Sequence, residues 1–349
     1  MSNSNLTYIE SVQERPAMYI GSKDFFGLVH YIVGAVNLNL RRQPTYLTFS
    51  LANGRFTIES DADLRVEQYD DGTLSPFESL PKQKSEYWID ADYDGTVLNA
   101  FSASLSVEAS SLQRQWAIEY HKGCRESLHI QEADATTKPY SRISFVPDPA
   151  IFKVKAFSPY NFHSYLKRLS FLNPDVRFGV TIDGRKEEYH FANGIRDMFE
   201  CVSSPYQLLH EPIHFRVTED NVDIELIFAF QSWKGDVCWS FINKGRAVEG
   251  GTHETGLAAG LEAIRAKLDM GGDGVMYDRN NGIVGIMSLS YADITWSGCI
   301  KAKIKNPELE PLVERLVTRE SSKWIEEHPQ VAAEIKEIGT FTFPEAAEL

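Results

Sequence analysis

Residues 26–59 narrow the possible architectures at once. A largely apolar run of helical length, Phe26 to Leu40, is followed by two β-rich stretches, Tyr46 to Leu51 and Arg55 to Glu59, around the turn pair Asn53-Gly54. The run ends in Arg41-Arg42, where cations suit a helix C-terminus. Asn-Gly between β-rich segments is a strong hairpin signal, because both turn positions need a positive φ. Helix and strand signals continue to mix downstream. Asp70 to Asp94 is polar and acidic and predicts a long loop, and Thr96 to Phe101 predicts a helix. Trp116 to Tyr120 and Arg142 to Val146 predict strands, and Phe162, Tyr165, Leu166 and Leu169 recur at helical spacing within Asn161 to Leu172. Val176 to Ile182 and Tyr189 to Phe191 predict a hairpin around Asp183-Gly184.

The second half opens after Ser204-Pro205. Val222, Ile224, Leu226, Phe228 and Phe230 alternate, as on a half-buried strand, and Val237 to Ile242 is predicted to be its partner. Gly250-Gly251-Thr252 leads a helix from Glu254 to Leu268, Ile283 to Leu289 predicts a buried strand, and Glu308 to Glu327 a long helix. With 349 residues the chain suits two domains of roughly 100–200 residues, predicted as 1–205 and 206–349. Hydrophobic residues at 43% and charged residues at 24% exclude a disordered chain. Lys and Arg number 35 against 49 Asp and Glu, and the net charge of −14 makes direct nucleic-acid or anionic-membrane binding doubtful. No apolar run approaches the ~20 residues of a membrane span, and the N-terminus has no signal-like core, so a cytoplasmic protein is expected. Cys124, Cys201, Cys238 and Cys299 are scattered, which argues against a zinc site or a disulfide framework.

Four separated stretches resemble one family. Arg15 to Gly21 (RPAMYIG), Leu169 to Pro174 (LSFLNP), Glu249 to Gly256 (EGGTHETG) and Glu327-His328-Pro329 are similar, in order and spacing, to segments of gyrase B and topoisomerase IV ATPase subunits. The resemblance implies an α+β chain: a GHKL-type (Bergerat) sandwich of helices on a mixed sheet, then a ribosomal-S5-like transducer domain. It also implies a metal-binding Toprim cleavage region farther on. No EGDSA-type stretch occurs here, so the chain is expected not to cut DNA by itself.

The family's ATP chemistry uses a Glu to orient or deprotonate water and an Asn one turn later to hold Mg²⁺, sharing one helix face. Gly27-Leu28 sets the register, and the two positions fall on Gly34 and Leu38. No Asp or Glu occurs from Phe25 to Thr57, so this helix supplies no carboxylate. The adenine-reading Asp position falls on Ser60, beside Asp61, and the following glycines become Ala62 and Leu64. The phosphate-cradling glycine loop corresponds to Asp90 to Gly95 (DADYDG), where Asp90, Asp92 and Asp94 would repel phosphate. DADYDG as a cation loop lacks the final Glu of an EF-hand. Ser141 stands where a pocket Thr is expected, and Lys301, after Cys299, where a lysine would touch the γ-phosphate. His253 is expected to mark a helix start, and most of Trp88, Trp116, Trp233, Trp239, Trp296 and Trp324 are expected to be core.

These substitutions imply a pseudo-ATPase that works by binding a topoisomerase subunit, another protein or a second copy of itself, with no catalytic residue, metal or cofactor. Two alternatives stay open. One is a divergent ATP-hydrolysing subunit of a split complex, using ATP and Mg²⁺ with Glu59, Asp61, Asp70 or Asp71. The other is an acidic decoy for a DNA-binding surface.

Overall fold

Asp24 starts the long apolar helix. Its carboxylate accepts from the Phe26 and Gly27 amides at 2.9 and 3.4 Å, satisfying donors that a helix N-terminus leaves unpaired. The computed structural model describes residues 7–79, 93–111, 113–134, 136–154, 159–247, 249–267, 281–297 and 303–338. The chain divides into two units, Met1–Phe191 and Ala192–Leu349. That division falls before Ser204-Pro205, so the helix at Ile195–Ser203 opens the second unit rather than closing the first.

The first unit runs α1 (Tyr8–Glu14), α2 (Pro16–Ile20), α3 (Phe25–Leu40), β1 (Tyr46–Ala52), β2 (Arg55–Ser60), β3 (Glu67–Gln68), β4 (Leu74–Ser75), α4 (Tyr93–Ala100), β5 (Ser102–Ser111), β6 (Arg114–His121), β7 (Cys124–Glu132), β8 (Tyr140–Pro147), α5 (Pro159–Phe171), β9 (Arg177–Ile182) and β10 (Arg185–Tyr189). One eight-stranded sheet carries it, in the order β10-β9-β1-β2-β8-β5-β6-β7. β1 and β9 are parallel and the other neighbours antiparallel, so the sheet is mixed. Leu28, Ile32 and Val36 of α3 pack on Leu47, Phe49, Ile58, Ile143 and Phe145 of the sheet in one apolar core. The β1–β2 hairpin turns at Asn53-Gly54, with φ of 53° and 74° as expected. The predicted loop from Asp70 contains β4, which pairs with β3 just before the loop, and residues 80–92 of it lie outside the described residues. The partner of Val176–Ile182 starts at Arg185, immediately after Asp183-Gly184, and not at Tyr189. Both turn residues adopt positive φ, which closes a two-residue turn and lets pairing begin at once.

The second unit runs α6 (Ile195–Ser203), β11 (Ile213–Glu219), β12 (Val222–Lys234), β13 (Val237–Ile242), α7 (Thr252–Lys267), β14 (Asn281–Ser290), β15 (Trp296–Ser297), β16 (Lys303–Ile304), α8 (Leu309–Glu327) and α9 (Pro329–Ile338). Its main sheet has the order β11-β12-β14-β13. Val237–Ile242 therefore does not pair with Val222–Phe230. β14 lies between them, antiparallel to β12 and parallel to β13. The 283–287 stretch, buried throughout, belongs in the middle of a sheet, where both faces are covered. Helices α7 and α8 pack on it, with Leu257, Leu261 and Ile264 meeting Leu312, Val313, Leu316 and Val317. Their approach is close enough that a Cβ on Gly256 would lie 2.4 Å from the Glu310 carbonyl, and one on Gly260 2.8 Å from Val317 Cβ.

Candidate functional site

Residues directly opposite one another across a sheet share a face. Leu47, Ser60, Ser141, Ala109 and Trp116 are successive cross-strand partners on β1, β2, β8, β5 and β6, and all are buried. The two serines are thus the polar centre of an otherwise apolar row. The structure brings together two of the residues expected to line a nucleotide pocket, and a third residue that sequence reasoning missed joins them.

That residue is Asn39, near the end of α3 and fully buried. Its Nδ2 donates to the Ala35 carbonyl (3.2 Å), which turns Oδ1 toward the sheet. Oδ1 then accepts from the Ser60 hydroxyl at 2.9 Å and the Ser141 hydroxyl at 2.7 Å. The two serine oxygens lie 2.9 Å apart, and Ser60 Oγ also accepts from the Ala62 amide at 3.2 Å. Both hydroxyl protons are used in pointing at Asn39, so the serines keep no free donor for anything else. A buried polar group needs such partners, since leaving one unpaired costs about 1–3 kcal/mol. The signal was present in the sequence: Leu28, Ile32, Ala35 and Asn39 follow helical spacing, which puts an amide on the buried face.

One residue earlier, Leu38 is 1% exposed and belongs to the apolar core. Gly34, a turn before it, contributes no side chain. Ala62 and Leu64 are both fully buried. Asp61 lies beside Ser60 but is occupied. Its carboxylate accepts from the Thr45 amide (2.8 Å), the Thr45 hydroxyl (2.5 Å) and the Tyr46 amide (3.2 Å), fixing the start of β1. Partial burial pushes the Asp61 carboxyl up, yet the Thr45 and Tyr46 hydrogen bonds outweigh it and hold the group below its ordinary value.

The other candidate carboxylates are also engaged or face elsewhere. Glu59 pairs with Arg142 at 3.2 Å and, next to Ser60 on a strand, points to the opposite face. Asp71 accepts from the Thr73 amide and hydroxyl at 3.0 and 2.6 Å, and Asp70 is exposed in the same β3–β4 turn. Gly95 is buried in the first turn of α4, where an added Cβ would sit 2.9 Å from the Pro76 carbonyl; that carbonyl accepts from Thr96 Oγ1 at 2.8 Å. Asp94 is the helical residue before it. Asp90, Asp92, Cys299 and Lys301 lie outside the described residues. Among the described residues no group of three His, Cys, Asp or Glu could hold a metal. A magnesium nucleotide held as the resemblance implies does not fit these residues: Leu38 offers no oxygen, Gly34 no base, and Ser60 an already committed hydroxyl.

In the second unit, His253 is fully buried in the first turn of α7. Its Nε2 lies 3.1 Å from the Ser240 hydroxyl, which donates to Glu254. Burial lowers its pKa against the opposing pull of Glu254, and Nδ1 has no partner. The expected helix-start role matches this placement. Of the tryptophans whose burial is described, Trp116 is core but Trp239, Trp296 and Trp324 are only half-buried, so most of these are not core as expected; Trp88 and Trp233 lie outside them.

The family described as DNA gyrase B matches residues 194–342. The DNA gyrase B protein of Halalkalibacterium halodurans is 27% identical, over 95% of this chain and 56% of that protein. Its counterpart in Archaeoglobus fulgidus is 26% identical over 93% of this chain and 55% of its own length. The chain therefore spans a little over half the length of the curated relatives it matches. The 43K ATPase domain of Thermus thermophilus gyrase B, solved with an aminocoumarin, superposes with a TM-score of 0.77 at 21% identity, covering 96% of this chain and 94% of that one. The ATPase region of Saccharomyces cerevisiae topoisomerase II gives 0.66 at 14% identity, covering 97% and 98%. The fold is accordingly the GHKL ATPase-plus-transducer fold. No helix among the described residues is long and apolar enough to cross a membrane.

Proposed function

Taking this chain as a member of the type IIA topoisomerase ATPase-subunit family, we propose that it acts by binding and does not hydrolyse ATP. The observation that carries this reading is α3 itself. Its face toward the sheet presents Ala35, Leu38 and Asn39, and the helix holds no carboxylate to activate water and no free oxygen at the metal position. General-base assistance is worth about 10²–10⁴ in rate, and among the described candidates Glu59 pairs with Arg142, Asp61 holds Thr45 and Tyr46, and Asp71 holds Thr73. The relatives are designated as one subunit of gyrase, so the partner in this proposal is a topoisomerase subunit, another protein of the same assembly or a second copy of the chain. The net charge of −14 favours a partner with a basic docking surface, with association weakening as salt rises.

Steady-state phosphate release by the pure chain, alone and with each candidate subunit, tests the reading. The expected result is no turnover above background while a salt-sensitive complex forms. Turnover abolished by alanine at Glu59, Asp61, Asp70 or Asp71 would overturn it in favour of a divergent ATPase.

A further inference from the structure

The polar edge formed by Ser60 and Ser141 already has an occupant. We propose that the Asn39 carboxamide is a built-in ligand of this site, closing from within the position that a small planar molecule would otherwise take. The inference deepens the function proposed above and rests on its identification of the site.

Asn39 uses the whole polar complement of the surroundings. Ser60 and Ser141 donate to its oxygen, and the Ala35 carbonyl accepts from its nitrogen. Without the amide, the position would present two hydroxyl donors beside one carbonyl acceptor, walled by Ala35, Leu47 and Ala62, all fully buried. The chemical complement of that arrangement is a neutral planar edge carrying an acceptor next to an N–H donor. Carboxamides and amino-substituted heterocycles have such an edge. An anionic ligand does not match, because the fully buried apolar residues Ala35, Leu47 and Ala62 would disfavour charge there.

The test uses the full chain, wild type and Asn39→Ala, with acetamide and adenine as probes read by calorimetry and by thermal melting. Either probe is expected to bind Asn39→Ala about tenfold more tightly than wild type and to raise only the variant's melting temperature. Asn39→Leu, which refills the volume without the polar edge, is expected to bind neither. Should Asn39→Ala fail to fold, Asn39→Ser makes the same comparison while retaining a hydroxyl. Equal binding by wild type and variant, or no binding of either probe to a folded truncation, overturns the inference. Probe binding by wild type as tight as by Asn39→Ala, without phosphate release, defeats this inference alone, whereas phosphate release defeats the function proposed above.

Discussion

The two units keep different things. The second contains the whole of the DNA gyrase B match, and its helix pair is fitted so closely that α7 needs glycine at Gly256 and Gly260. The first keeps the eight-stranded sheet and its covering helices but fills the centre of that face with Asn39, Leu38 and two serines. The contrast shows that a fold depends on many interchangeable apolar positions, whereas nucleotide chemistry depends on a few polar ones. Under the function proposed above, the first set tolerates changes that the second does not.

The strongest way to break this contrast is to put the family's residue back. Leu38→Asn is expected to cost about 4 kcal/mol, from lost burial plus an unpaired buried amide, measured by urea unfolding. If Gly34→Glu combined with Leu38→Asn instead restored a stable, nucleotide-hydrolysing chain, the first unit would not be committed to its filled centre.

A pH titration sharpens the comparison from the other side. In the second unit, His210 accepts from the Phe230 amide at 3.0 Å and donates through Nδ1 to the Glu211 carbonyl at 2.6 Å. Burial lowers its pKa to about 4, although the Glu211 bond opposes the shift. The neutral ring is the form that the folded state favours. Its stability is fully present above the ordinary pKa of about 6.5 and is lost as pH falls toward 4, by about 3 kcal/mol in all. Denaturant midpoints across that window are expected to fall for wild type and to stay flatter for His210→Gln.

Gly260→Ala is expected to cost about 2 kcal/mol by forcing α7 from Val317. Asn39→Leu, which leaves two buried serines to satisfy each other, is expected to cost about 1 kcal/mol. If Asn39→Leu proved more damaging than Gly260→Ala, the filled site would be a main support of the fold rather than a local substitution.

Much of the fold was legible in local pattern. The α3 run, the Asn53-Gly54 hairpin and the alternation from Val222 to Phe230 each carried their own periodicity. β7 did not, because it is an edge strand largely exposed on both sides and so shows no alternation. The order β12-β14-β13 was also hidden, since strand partners are chosen by whole-sheet packing and Ile283–Leu289 arrives only after a helix. At the site, Ser60 and Ser141 were legible by resemblance, and their meeting is a consequence of register. Asn39 was readable from helical spacing, but its role required knowing which strands it faces.

Isothermal titration of the pure full chain with a non-hydrolysable ATP analogue and Mg²⁺ addresses the central claim most directly. The account predicts no saturable heat in the micromolar range. A micromolar complex, with an acidic side chain found facing the terminal phosphate, would contradict it.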